Sequence, residues 1–103
     1  MTENDRQQGE ATVQIENDRV RVTTWSLNPK EETGWHQHAW DYTVVPMDNG
    51  ELMIETKDSV AYSTAERGVS YFRRAGAIHN VVNNSADSAY TFLEIEMIMA
   101  DNV

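Results

Sequence analysis

The sequence predicts an all-β domain of the jelly-roll kind. Short runs rich in Val, Ile, Thr and aromatic residues alternate with clusters of turn residues, and no window holds a sustained helical period. Eight such runs fit within 103 residues, a density that suits two antiparallel sheets folded around a cavity. The length allows one domain and no second.

The first ten residues are polar and charged, and read as a mobile tail ahead of a single domain spanning 11–103. The expected strands cover 12–16, 20–27, 35–45, 51–56, 59–63, 69–73, 79–83 and 90–99. Between them stand Asn17-Asp18, Asn28-Pro29, Asp48-Asn49-Gly50, Lys57-Asp58, Glu66-Arg67-Gly68, Ala75-Gly76 and Asn83-Asn84-Ser85, residues that favour turns. Gly50, Gly68 and Gly76 read as turn positions needing unusual backbone angles.

Composition narrows the function classes. The formal charge is −9 and the isoelectric point about 4.6, which argues against nucleic acid and anionic membrane surfaces as partners. The absence of cysteine excludes disulfides, thiolate metal sites and cysteine nucleophiles. No apolar run opens the chain as a signal peptide would, and none is long enough for a spanning helix. A cytoplasmic location is the expectation.

All three histidines fall into one pattern. Gly34-Trp35-His36-Gln37-His38-Ala39-Trp40-Asp41-Tyr42 places His36 and His38 two apart, hence on one face of a strand. His79 opens a later strand that can lie beside the first in an antiparallel jelly roll. Three imidazoles arriving from two strands suit one first-row divalent metal ion, and Fe, Zn, Mn and Ni are all compatible.

The arrangement resembles the two motifs of the cupins. In that family the first motif runs from a Gly through His-x-His to a Glu and a later Gly, and the second runs Gly, five residues, Pro-x-Gly, two residues, His, three residues, Asn. Here the second fits at Gly68, Gly76, His79 and Asn83, with Arg74 in place of Pro. The first fits at His36, His38 and Gly50, with Gly34 closer to the histidines than the pattern has it. The resemblance implies an RmlC-like jelly-roll β-barrel (double-stranded β-helix) with metal ligands at His36, His38 and His79. The phrases from Asp18 to Thr23, from Asp41 to Pro46 and from Tyr71 to Gly76 further resemble the small stand-alone cupins named for β-alanine degradation. Such cupins usually pair, so a homodimer is implied.

The departure from the family lies at the glutamate. Tyr42 stands near its place, with the strand parity of the histidines, and is a candidate hydrogen bonder, acid or occasional ligand beside the metal. Asp41 has the opposite parity. Trp40 shares the histidines' parity and is expected to wall the pocket. One of Arg73 and Arg74 must face inward, and could clamp a substrate carboxylate. The commoner arrangement leaves both solvated, or pairs one with Glu94 or Glu96. Those two glutamates share a face of the last strand, and the commoner arrangement turns them outward with Leu93, Ile95 and Met97 inside. Turned inward, Glu94 becomes a candidate general base or fourth ligand.

Two functional readings follow. One is a metal-dependent enzyme acting on a small organic acid or similar anion, by dioxygenase chemistry or as a lyase or isomerase. The other is a non-catalytic cupin that binds or senses a small ligand through the same metal.

Overall fold

The computed structural model describes residues 6–98, which form nine strands and no helix. In chain order these are β1 (Glu10–Glu16), β2 (Val20–Leu27), β3 (His36–Gln37), β4 (Tyr42–Pro46), β5 (Gly50–Glu55), β6 (Val60–Ala65), β7 (Tyr71–Arg73), β8 (Ile78–Asn83) and β9 (Tyr90–Met97). One sheet has the order β1-β2-β9-β4-β7 and the other β3-β8-β5-β6. Each pairing of named strands is antiparallel, as a jelly roll requires.

The single strand expected over 35–45 is two strands, β3 and β4. Residues 38–41 leave strand geometry because their polar groups turn to another partner. The His38 N–H donates to the Ala77 carbonyl at 3.1 Å, and the Gly76 N–H donates to the His38 carbonyl at 2.8 Å. Asp41 Oδ1 accepts the Ala75 N–H at 2.8 Å. The two histidine-bearing segments are therefore sewn together by main chain. Gly76, at φ 103°, makes the turn that permits it.

Of the expected tail, residues 1–5 lie outside the described residues. Arg6 to Glu10 are docked rather than free. Gly9 N–H donates to the Glu32 carbonyl and Glu32 N–H to the Gln7 carbonyl. The Gln8 side chain donates to the Thr33 carbonyl at 2.8 Å, and β1 begins at Glu10, two residues earlier than expected.

The core joins both sheets: Leu27, Tyr42, Val44, Leu52, Val81, Tyr90 and Phe92 are buried together, with Trp25 and Ile54 packed against them. In β9 the buried residues are Tyr90, Phe92, Glu94 and Glu96, while Leu93, Ile95 and Met97 stay partly exposed. The commoner arrangement expected for this strand is thus inverted. The register explains it: Trp25 faces Phe92, Thr23 faces Glu94 and Arg21 faces Glu96, so the interior grows polar along β9 towards its end. Gly50 corrects a second expectation. It has no positive φ. A Cβ there would stand 2.6 Å from Tyr90 Cδ1, so the glycine makes room for an aromatic ring.

Candidate metal centre

β3 lies beside β8 with His36 directly opposite His79. His38 follows where the strand ends, its backbone held by Gly76 and Ala77. One nitrogen from each of the three histidines falls within 4.8 Å of the others. His36 Nδ1 lies 2.8 Å from the Gly34 carbonyl, a bond that places the proton on Nδ1 and leaves Nε2 with a free lone pair. That Nε2 is 2.9 Å from His38 Nε2. Two nitrogens each about 2.1 Å from a common ion and about 90° apart stand roughly 3.0 Å from one another. The third histidine carries the clearest sign of a missing partner: His79 Nε2 is buried with no hydrogen bond.

Electrostatics favour lone pairs over protons. Burial, then His36 and His79, lowers His38 to about 3. Burial, then His36 and Arg73, lowers His79 to about 4. Both rings are neutral near neutral pH, as metal ligation requires. The donor set, the spacing and the orphaned nitrogen fit one divalent cation.

A network behind the histidines holds them. Asn80, fully buried, accepts the Gly34 N–H on Oδ1 at 2.9 Å. Its Nδ2 donates to Glu32 Oε1 and to Glu55 Oε1, each at 2.9 Å. Arg6 closes the cluster, at 2.9 Å from Glu32 and 2.7 Å from Glu55. Gly34 thus takes a bond from His36 on its carbonyl and gives one to Asn80 from its N–H. Sequence reasoning missed Arg6, Glu32, Glu55 and Asn80. Asn80 directly follows His79, and that adjacency was the one available signal.

A cavity of about 60 Å³ runs inward from His79. Tyr42, Tyr71, Arg73 and Glu94 line it together with Val44, Leu52, Ile54, Val81, Tyr90 and Phe92. Tyr42 stacks flat on His38, centroids 3.8 Å apart and planes 18° from parallel. Burial first, then Glu94, raises its phenol to about 12, so it is a neutral hydroxyl. Glu94 is 7% exposed and has an oxygen 3.8 Å from His38 Nε2. Burial, then Glu96, raises it to about 7, opposed by a hydrogen bond from Trp25. Arg73 is the arginine that lines the cavity, although exposed to solvent, paired across the ladder with Tyr42 and lying over the Tyr71 ring at 4.7 Å.

The remaining candidates lie elsewhere. Arg74 is exposed and outside the cavity wall. Trp40 is also outside that wall, beneath the Arg21 guanidinium at 5.4 Å. Strand parity does not reach it, because 38–41 is not strand. Neither Arg73 nor Arg74 pairs with Glu96; Arg21 does, at 3.5 Å, from the facing position on β2.

Two antiparallel sheets that bring three imidazoles together, with His79 in the wall of an interior cavity, define a cupin. The comparisons agree. A curated relative, the β-alanine degradation protein BauB of Pseudomonas aeruginosa, is 44% identical over 92 residues, covering 89% of this chain and 96% of that protein. A crystal structure of a cupin domain from Bordetella pertussis is 48% identical, with a TM-score of 0.86 over 90% of this chain and 96% of that one. A cupin superfamily protein from Desulfitobacterium hafniense shares the fold at 18% identity, with a TM-score of 0.70 over 95% of this chain and 84% of that one. No protein-family model matches. The chain belongs to the cupins, in the family of the Pseudomonas β-alanine degradation protein.

Proposed function

We propose that the protein is a metal-dependent cupin enzyme that acts on a small organic acid by proton transfer, in the manner of a lyase or isomerase. The observation that carries this reading is the convergence of His36, His38 and His79, the last of them in the wall of a cavity that also contains a buried carboxylate, Glu94. His36, His38 and His79 would hold a divalent ion, which would supply Lewis-acid activation of a substrate oxygen. Arg73, at the same end of the cavity, orients an anionic substrate through its guanidinium. Glu94 takes or returns the substrate proton, and Tyr42 keeps the His38 ring in plane. The name of the Pseudomonas relative, which places that protein in β-alanine degradation, is in keeping with a small acid as substrate.

The test is elemental analysis of untagged protein purified without added metal. About one equivalent of divalent metal per chain is expected in wild type, falling to background in His79→Ala with the far-ultraviolet circular dichroism retained. Zinc or manganese favours the proton-transfer chemistry, and iron favours the dioxygenase alternative. Metal-free wild type whose melting temperature is unmoved by zinc, manganese, iron or nickel defeats the proposal.

We further propose a homodimer in the cytoplasm, formed through the outer face of the five-stranded sheet. One row across that face reads Ile15, Val22, Ile95, Thr43 and Phe72 in register. Ile15 is 48% and Phe72 50% exposed, an apolar surface of the kind that marks a protein interface.

A further inference from the structure

Among the described residues, two buried side-chain polar atoms lack a hydrogen-bond partner: His79 Nε2 and Tyr90 Oη. Both residues line the same cavity. The first belongs to the metal centre. The second does not, and nothing in the reading above uses it.

Tyr90 marks the far end. It begins the interior row of β9, and Glu94 stands four positions along, roughly 13 Å of strand at about 3.3 Å per residue. Its ladder partner is Leu27, whose carbonyl accepts from Asn83, whereas the metal end of β8 is His79. Val44, Leu52, Ile54, Val81 and Phe92 form an apolar sleeve in the cavity wall. The charged wall residues are Arg73 and Glu94, and both belong to the metal end: Arg73 is registered with Tyr42, and Glu94 approaches His38.

Packing does not explain the hydroxyl. The Tyr90 ring stacks on Phe92 with centroids 5.4 Å apart and occupies the space that Gly50 leaves open. A phenylalanine ring does both. An unpaired buried hydroxyl is costly, and a native structure keeps one where a partner arrives. Burial first, and next the Tyr71 phenol of the same cavity, keep this hydroxyl protonated, so it is a donor.

We infer that Tyr90 is a second recognition point for the ligand, and that the ligand is a short-chain carboxylic acid bearing a neutral hydrogen-bonding group, hydroxyl or carbonyl, at the end remote from its carboxylate. The acid end meets the metal and Arg73, the methylene chain lies in the apolar sleeve, and the far oxygen accepts from Tyr90 Oη. An anionic far end is disfavoured, since it would be stripped of water with no cation in that part of the wall and with Asp48 acting on Tyr90. This inference rests on the metal-dependent reading above.

The experiment uses cobalt(II)-loaded protein, whose visible absorption reports on the three-histidine site. It is titrated with 4-hydroxybutanoate and with pentanoate, acids of equal heavy-atom count that differ in the far group. Wild type should bind 4-hydroxybutanoate about tenfold more tightly, the worth of one hydrogen bond in a dry site. In Tyr90→Phe that preference should collapse to within about twofold. Equal binding of the two acids by wild type, or a preference that survives in Tyr90→Phe, overturns the inference. So does cobalt that binds but responds to neither acid. Absence of the cobalt bands is a different failure, because it removes the metal centre first. If Tyr90→Phe does not fold, the wild-type preference decides alone.

Discussion

Asn80 shows how much of this site depends on a residue with no direct chemistry to do. It is fully buried, it holds Gly34, whose carbonyl orients His36, and it bridges two carboxylates. Asn80→Ala leaves the Gly34 N–H without its partner and takes one of two donors from each carboxylate oxygen, Arg6 remaining as the other. We expect a loss of about 3 kcal/mol in the urea unfolding of metal-free protein. A loss below about 1 kcal/mol would mean that water replaces the amide, and that the network does not hold the histidines. The residue scale was partly legible in the sequence. His36, His38 and His79 stood out because the period of a strand puts alternate side chains on one face. The inward turn of Tyr42 follows the same rule, as does the place of the exposed Arg73 in the cavity lining. Trp40 broke it, because three main-chain and side-chain bonds to residues 75–77 pull 38–41 out of the strand. Bonds of that kind join segments far apart in sequence, and no local pattern announces them.

At the scale of elements, β2 was legible to the residue, and the other strands to within a few positions at either end, except that β3 and β4 were expected as one strand over 35–45. Those strands are bounded by turn residues whose backbone preferences are intrinsic, and β2 sits between Asn17-Asp18 and Asn28-Pro29. The face of β9 was not legible. Alternation identifies two faces and does not say which is inside when one carries glutamates and the other aliphatics. What decides is the neighbour: Arg21 on β2 and His38 beside β8 make the interior at that end polar enough for Glu94 and Glu96. Gly50 belongs to this scale too, because it sets how closely β5 and β9 approach. The Cβ of Gly50→Ala would press on Tyr90 at 2.6 Å. The ring is buried and stacked, so the strands must part, at a cost of about 1–3 kcal/mol. A thermal midpoint equal to wild type would show that the ring moves freely and that the close approach has no structural role.

Across the whole molecule, inverting β9 has an outward effect. Sending the glutamates inside leaves Leu93, Ile95 and Met97 on the outer surface, alongside Val22 and Phe72. That surface is the one proposed to pair two copies. Light scattering should give a mass near twice the 11.8 kDa chain. Ile95→Lys, at the centre of the apolar row, should shift the protein towards monomer with the circular dichroism unchanged. A wild-type mass of one chain at micromolar concentration would sink the pairing. Each copy carries a formal charge of −9, so association works against mutual repulsion and should tighten with added salt.

The docking of Arg6 couples the leading stretch of the polypeptide to the chemistry at the other side of the sheet. Glu32 and Glu55 both aim an oxygen at the Asn80 amide, and Arg6 is the cation set against both of them. Two anions sharing one amide repel each other unless something positive sits between. Whatever displaces that guanidinium, whether trimming or a bulky fusion partner, loosens the grip on Asn80 and so on the loop that aims the first imidazole. Arg6 is thus better regarded as a counterion that the polypeptide itself supplies to Glu32 and Glu55.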